Sequence, residues 1–155
     1  MGHSVQALII PEALAVSALV ELVHARSFPL GHGLCIVPIT DDTFDALDAR
    51  FPHVQDPSAP EFWKMSGPLA HVAERLSLRG PIADVETEYF GGSGAQAATV
   101  WEFGSTRMSP TQAEVGPINS ALRLMGVRVG DARDEFAAVG LDTKRSNDAW
   151  LDQER

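Results

Sequence analysis

The sequence contains little cysteine, little positive charge and no long unbroken hydrophobic run. Its 155 residues include a single cysteine, Cys35, which excludes an internal disulfide and a zinc site built from several cysteines. Twelve Lys and Arg against 21 Asp and Glu give a formal net charge of −9 at pH 7. Because nucleic-acid binding depends on cationic contacts to phosphates, this balance argues against a nucleic-acid partner.

The most apolar stretch, residues 7–23, is interrupted by Pro11, Glu12 and Glu21. A membrane-spanning helix needs about 20 predominantly apolar residues, so this stretch does not match one. No Lys or Arg precedes it, and a secretory signal peptide begins with basic residues. We therefore expect a cytoplasmic protein with no membrane contact, and the single cysteine agrees with that location.

The composition that remains is typical of a folded protein. Hydrophobic residues make up 45% and charged residues 21% of the chain, which argues against general disorder. A length of 155 residues fits one domain with its own core. We expect a single domain over residues 1–155.

A β-hairpin at the centre of the chain is the clearest structural pattern. Residues 82–90 alternate, with Asp84, Glu86 and Glu88 on one face, and residues 95–103 alternate again. The run Gly91-Gly92-Ser93-Gly94 lies between the two segments. Two alternating runs around a glycine-rich turn predict a hairpin over about 82–103.

Further strands and helices are predicted around this hairpin. Short apolar runs predict strands over 5–10 and 34–39, and residues 52–61 and 105–115 are expected to be loops. A helix over 13–26 is so apolar that we expect burial on most of its sides. The other predicted helices cover 41–50, 68–78 and 117–125, with two short ones capped by Asp131 and Ser146. This mixture predicts an α+β fold, with a small antiparallel sheet centred on the hairpin and packed with several helices.

Acidic residues are concentrated in two places. Asp41, Asp45 and Asp48 recur at helical spacing and share one face of the predicted helix. Asp41 and Asp45 are the first and last residues of a D-D-x-x-D pattern. In prenyl-chain synthases this pattern binds magnesium and a diphosphate. Since neither a second acidic cluster of this kind nor a basic diphosphate clamp accompanies the pattern, we predict a protein-binding stripe, with no metal and no cofactor.

The second acidic group is the pair Glu86 and Glu88 on one face of the hairpin. Two residues along a strand separate such carboxylates by roughly 7 Å. This pair suits acid–base chemistry, or simply forms the solvated face of the hairpin. Together with the aspartate stripe it is predicted to bind a partner. Trp63, which follows the proline-rich loop, is expected to be exposed and to be a further binding residue, whereas Trp101 is expected to fill the core.

No complete catalytic motif is present. The five histidines show no zinc-ligand spacing, and the glycine-rich turn matches neither a dinucleotide nor a P-loop pattern. Cys35 lies inside an apolar run, where burial would weaken it as a nucleophile. The catalytic residues are therefore unknown.

The run Glu88-Tyr89-Phe90-Gly91-Gly92-Ser93-Gly94-Ala95-Gln96-Ala97-Ala98 resembles a stretch shared by small, uncharacterised bacterial proteins. The segments at 116–122 and 134–136 resemble the same proteins. The resemblance implies a bacterial source. It implies no activity and no site residues.

Two functional hypotheses follow. The first is a small acidic module that binds a basic protein partner, for example a toxin that it neutralises. The alternative is an enzyme or small-ligand-binding protein with a pocket near the 82–103 hairpin, lined by His32, Glu86, Glu88, Gln96 and Arg107. A flat acidic face with an exposed aromatic residue favours the first hypothesis, and a pocket with convergent polar groups favours the second. The sequence leaves the oligomeric state open.

Overall fold

The computed structural model describes residues 2–153 and is built around one six-stranded antiparallel sheet. The strand order is β2-β3-β1-β4-β5-β6, so β1 and β4 are the two central strands. The strands are β1 (His3–Pro11), β2 (Phe28–Pro29), β3 (Leu34–Pro38), β4 (Ile82–Phe90), β5 (Ser93–Glu102) and β6 (Ser105–Ala113).

Helices cover both faces of this sheet, which confirms the predicted α+β class. Two short 3₁₀ helices span Glu12–Leu14 and Leu141–Thr143. The α-helices are α1 (Ala15–Glu21), α2 (Asp41–Arg50), α3 (Gly67–Leu76), α4 (Pro117–Leu124), α5 (Glu135–Val139) and α6 (Asn147–Leu151).

Alternating side chains of the central strands enter two separate cores. In β1, Leu8 and Ile10 pack on the side of α1, α2 and α3. Val5, Ala7 and Ile9 pack on the side of α4, α5 and α6. Since both faces of β1 and β4 are covered, a polar side chain on either strand has to find its hydrogen-bond partners inside the protein.

The predicted hairpin is confirmed. β4 and β5 pair in continuous register from Ile82 opposite Trp101 to Phe90 opposite Ser93. Gly91 and Gly92 form the turn with φ of +59° and +81°. Positive φ at both turn positions is the geometry that matches the twist of two paired strands, and glycine adopts it with least strain.

The first helix differs from its prediction in length and in burial. It consists of the 3₁₀ turn followed by α1, which ends at Glu21 rather than near residue 26. Val16 and Val20 are 80% and 73% exposed, so the expectation of burial on most sides is wrong. α1 lies in an outer layer and buries only the face that carries Ala18, so an apolar composition did not imply a fully buried helix.

Residues 105–115 were expected to be a loop, and this is also wrong. β6 occupies most of the segment and pairs with β5 at the edge of the sheet. Its sequence is polar because most of its side chains are exposed. Pro110 lies at a register irregularity between the pairs Ala98–Thr111 and Val100–Met108, where a missing N–H costs no ladder hydrogen bond.

The remaining elements are close to their predictions. Residues 51–66, which the structure describes in full, form neither helix nor strand, and the predicted loop at 52–61 lies within them. Asp134, not Asp131, caps α5 by accepting a hydrogen bond from the backbone N–H of Ala137. Across residues 2–153, no helix has the length and apolar character that crossing a membrane requires.

We expect Gly94→Ala to destabilise the hairpin strongly. A Cβ atom at Gly94 would lie 1.9 Å from the carbonyl oxygen of Glu88, which belongs to the paired strand and cannot move freely. Gly92→Ala is the matched control, because a Cβ there meets no atom within 4 Å. Urea denaturation should show a loss of at least about 2 kcal/mol for Gly94→Ala and about 1 kcal/mol for Gly92→Ala. Equal losses would contradict the close approach at Gly94.

Candidate functional site

The acidic row of β4 is buried rather than solvated. Asp84 and Glu86 are 3% and 1% exposed, and Glu88 is half-buried. The interpretation of this row as the solvated face of a hairpin is therefore wrong for its first two members. The reason is the position of β4 at the centre of the sheet, where α3 and the segment 51–66 cover the face that these carboxylates share.

Glu86 connects the sheet to the segment between α2 and α3. One carboxylate oxygen accepts a hydrogen bond from the backbone N–H of Trp63 at 2.6 Å, and the other accepts from the N–H of Lys64 at 2.9 Å. Burial raises the pKa of Glu86, while these two N–H groups and the Lys64 ammonium act in the opposite direction. Charged acceptors with two backbone donors form strong hydrogen bonds, so the carboxylate fixes this part of the segment.

The same contacts place Lys64, which directly follows an exposed tryptophan, beside the first residue of α2. The Trp63 residue is 46% exposed, which confirms its expected exposure, and Trp101 is buried as expected. The Lys64 ammonium lies 3.5 Å from a carboxylate oxygen of Asp41, at the first residue of α2. We call Asp41, Asp42, Asp45, Asp48, Trp63 and Lys64 the acidic–aromatic surface.

The predicted binding residues are thus divided between surface and interior. All four aspartates of the acidic–aromatic surface are exposed, and Trp63 precedes Lys64, which contacts the first of them. Glu86 lies beneath the surface and supports it. Glu88 lies further along β4 and accepts hydrogen bonds from the side chains of Ser4 at 2.5 Å and Gln6 at 3.3 Å.

An open cleft of about 330 Å³ adjoins the acidic–aromatic surface between α2 and α6. Asp41, Asp42 and Asp148 contribute carboxylates to it. Asn147 also lines it, but its carboxamide accepts from the Gln6 N–H and donates to the carbonyls of Gln6 and Ile39. Asn147 therefore holds the chain together, and the cleft extends the negative charge of the surface.

Asp84 is the least satisfied buried group near this surface. Oδ2 of Asp84 has no hydrogen-bond partner within residues 2–153. Burial raises the pKa of Asp84 well above its ordinary value, and the neighbouring Glu86 raises it further. A carboxyl group in this environment favours its protonated form.

A second candidate site lies on the opposite face of the sheet, at the end of the hairpin. This open pocket of about 270 Å³, which we call the hairpin pocket, is bordered by the sheet, α4 and the start of α5. Its lining combines polar and apolar side chains: His3, Tyr89, Gln96, Val115, Asn119, Asp134 and Phe136.

The alternative hypothesis expected a pocket near the hairpin but named mostly other residues. Gln96 is the one named residue that lines the hairpin pocket. Glu86 and Glu88 point to the opposite face, Arg107 pairs with Glu102, and His32 lies in an exposed turn. Among the pocket residues that were not predicted, Tyr89 belongs to the hairpin itself. The others come from the start of β1 and from residues 115–136, which only folding brings to the hairpin.

A histidine in a pocket is a candidate general base, but both ring nitrogens of His3 have hydrogen-bond partners within the protein. Nε2 lies 3.3 Å from the carbonyl oxygen of Leu141, which can only accept, so Nε2 carries the proton. Nδ1 lies 2.7 Å from the hydroxyl of Thr87, which accepts from the Val5 N–H and can donate to the ring. Burial lowers the pKa of His3, so this neutral imidazole has a structural role.

No family model matches the chain, and comparisons with curated proteins and with solved structures give no match either. The resemblance of residues 88–98 to small bacterial proteins therefore stays a prediction. Within residues 2–153, no group of three or more His, Cys, Asp or Glu side chains is placed to bind a metal ion.

We expect the pH dependence of stability to report on Asp84. Because folding raises its pKa, the folded protein keeps a proton that the unfolded chain releases above the ordinary value of 3.8. The free energy of unfolding should then fall as pH rises from that value toward the raised pKa, by up to about 1.4 kcal/mol per pH unit. Asp84→Asn removes this contribution, so its stability should depend less on pH in urea denaturation.

The exposed Asp131→Asn is the control for this measurement, since it makes the same chemical change outside the core. Glu86 contributes in the same direction as Asp84 and remains in both variants. Identical pH slopes for the wild type and Asp84→Asn would contradict the raised pKa of Asp84.

We expect Glu86→Gln to loosen the segment that carries Trp63. The amide keeps one neutral acceptor in place of two charged ones, so one of the two backbone N–H groups loses its partner. Hydrogen exchange at the Trp63 and Lys64 amides should accelerate by roughly tenfold or more. Glu88→Gln, on the same strand face, is the control and should leave these two amides unchanged. Unchanged exchange in Glu86→Gln would show that other contacts hold the segment.

Proposed function

We propose that this protein is an interaction module that binds a basic protein partner through its acidic–aromatic surface. The observation that carries the proposal is the pair of hydrogen bonds that the backbone N–H groups of Trp63 and Lys64 donate to the Glu86 carboxylate. These two hydrogen bonds hold the large aromatic side chain of Trp63 partly exposed at the protein surface. Exposed tryptophans are enriched among residues that dominate binding energy at protein interfaces.

The negative charge of the acidic–aromatic surface indicates that the partner is basic. Asp42, Asp45 and Asp48 form no ion pair within residues 2–153. The Lys64 ammonium, which contacts Asp41, offsets one of the four aspartate charges, so the acidic–aromatic surface keeps a net negative charge. With a net charge of −9 for the whole chain, the surface attracts a partner that presents lysine and arginine side chains.

The arrangement also favours binding without a large conformational change. Glu86 fixes the backbone at Trp63, and Asp56 accepts a hydrogen bond from the Gly67 N–H at 2.7 Å where α3 begins. A segment held at both points loses less conformational freedom on binding than a free loop would. This is the behaviour expected of a protein that neutralises a toxin or another basic protein.

The proposal also includes a cytoplasmic location and a bacterial source. We infer a cytoplasmic location because the single cysteine, Cys35, is buried and unpaired. The resemblance of residues 88–98 supports a bacterial source. The negative charge supports a protein rather than a nucleic acid as the partner.

The test is a capture experiment with matched variants. Asp45→Lys/Asp48→Lys reverses two charges on the surface, and Asp131→Lys/Asp142→Lys reverses two exposed charges elsewhere. Trp63→Ala removes the indole, and Phe103→Ala removes an exposed aromatic ring on another part of the protein. We expect a basic protein to be retained by the wild type and by both controls, and to be lost with Asp45→Lys/Asp48→Lys and with Trp63→Ala.

A second measurement addresses the electrostatic part of the proposal. The association rate with the captured partner should fall steeply as salt rises, because screening shortens the reach of the surface charge. Retention of the same partner by every variant, or an association rate that does not respond to salt, would contradict the proposal.

A further inference from the structure

The hairpin pocket contains polar groups whose orientation is fixed by the backbone. The Gln96 carbonyl oxygen accepts from the Ile118 N–H at 2.8 Å, and the Asn119 carbonyl oxygen accepts from the Phe136 N–H at 2.9 Å. A backbone N–H can only donate, so these bonds decide which end of each carboxamide is oxygen. The NH₂ groups therefore face the other polar atoms of the pocket.

These NH₂ groups keep hydrogen-bonding capacity. Gln96 uses one N–H to bind the Tyr89 hydroxyl at 3.0 Å and has a second that pairs with nothing in the described part of the chain. Asn119 Nδ2 lies 3.5 Å from Asp134 Oδ2, which is longer than a normal N–H···O bond. Asp134 Oδ1 accepts from the Ala137 N–H, whereas Oδ2 has only the long contact with Asn119 and keeps the capacity to accept from a ligand.

The walls of the pocket are apolar and partly aromatic. Tyr89 and Phe136 contribute rings, and Val115 contributes an exposed aliphatic side chain. The Phe136 ring lies 5.4 Å from the His3 ring, which helps to hold it in place. Apolar walls with a few convergent polar groups are the usual construction of a small-molecule site.

The size and charge of the pocket restrict the ligand. A volume of about 270 Å³ suits one or two fused rings. The lining contains the carboxylate of Asp134 and no lysine or arginine, and His3 is neutral. An anionic ligand would meet repulsion with no cation to offset it.

We propose that the hairpin pocket binds a small, neutral, planar heterocycle with a lactam edge, in which a ring N–H lies beside a ring carbonyl. The N–H donates to Asp134 Oδ2, and the carbonyl accepts from the NH₂ of Asn119 or Gln96. The ring occupies the space beside Tyr89 and Phe136. This site lies on the opposite face of the sheet from Glu86 and does not depend on the proposed protein partner.

The test uses three lactam probes, uracil, hypoxanthine and 2-pyridone, followed by calorimetry and by backbone NMR. We expect at least one of them to bind saturably and to shift the amide signals of Tyr89, Asn119 and Phe136. For uracil, 1,3-dimethyluracil removes the N–H, and orotate adds a carboxylate. Both should bind at least about tenfold more weakly, because each removes or opposes the contact with Asp134.

Asp134→Asn is the matched protein variant, since asparagine also caps a helix and keeps α5 in place. It replaces the accepting Oδ2 by a donor and should weaken lactam binding by at least about tenfold. Asp131→Asn, an exposed position nearby, should bind as the wild type does. The proposal is overturned if none of the three lactams binds up to about 10 mM. It is also overturned if blocking the N–H or changing Asp134 leaves the affinity unaltered.

Discussion

Glu86 lies in the middle of a sheet that is covered on both faces, and its charge has to be satisfied from within the protein. Burying an unpaired carboxylate costs several kcal/mol, so such a group persists where donors meet it. The donors here are two consecutive backbone N–H groups, at Trp63 and Lys64, in a segment with no helix or strand of its own. The surface beside α2 takes its shape from this contact.

The two faces of the sheet differ in how their polar groups are arranged. On the side of α1, α2 and α3, carboxylates of β4 are enclosed, and one of them supports an exposed tryptophan. On the side of α4, α5 and α6, side-chain amides replace missing backbone partners at helix starts, as Gln96 does for Ile118. The first arrangement yields a charged outer surface, and the second yields a small pocket that is open to solvent.

Several features of the fold could be predicted because their causes are local. The glycines between two alternating runs required a turn with positive φ, and Thr40 with the following aspartates required a helix start. β6 was missed because an edge strand with exposed side chains has no apolar alternation to reveal it. The outward face of α1 was missed because composition does not say how many sides of a helix a fold covers.

The sequence by itself determined the class of the fold, the central hairpin and the aspartate stripe of α2, since each follows from patterns of residues close together in the chain. Only the tertiary structure decided that Asp84 and Glu86 are interior, because alternation along a strand separates two faces without saying whether either meets water. It alone brought His3, Asn119 and Asp134 to the hairpin. Contacts across more than 80 residues arise from strand order and helix packing, which no local pattern encodes.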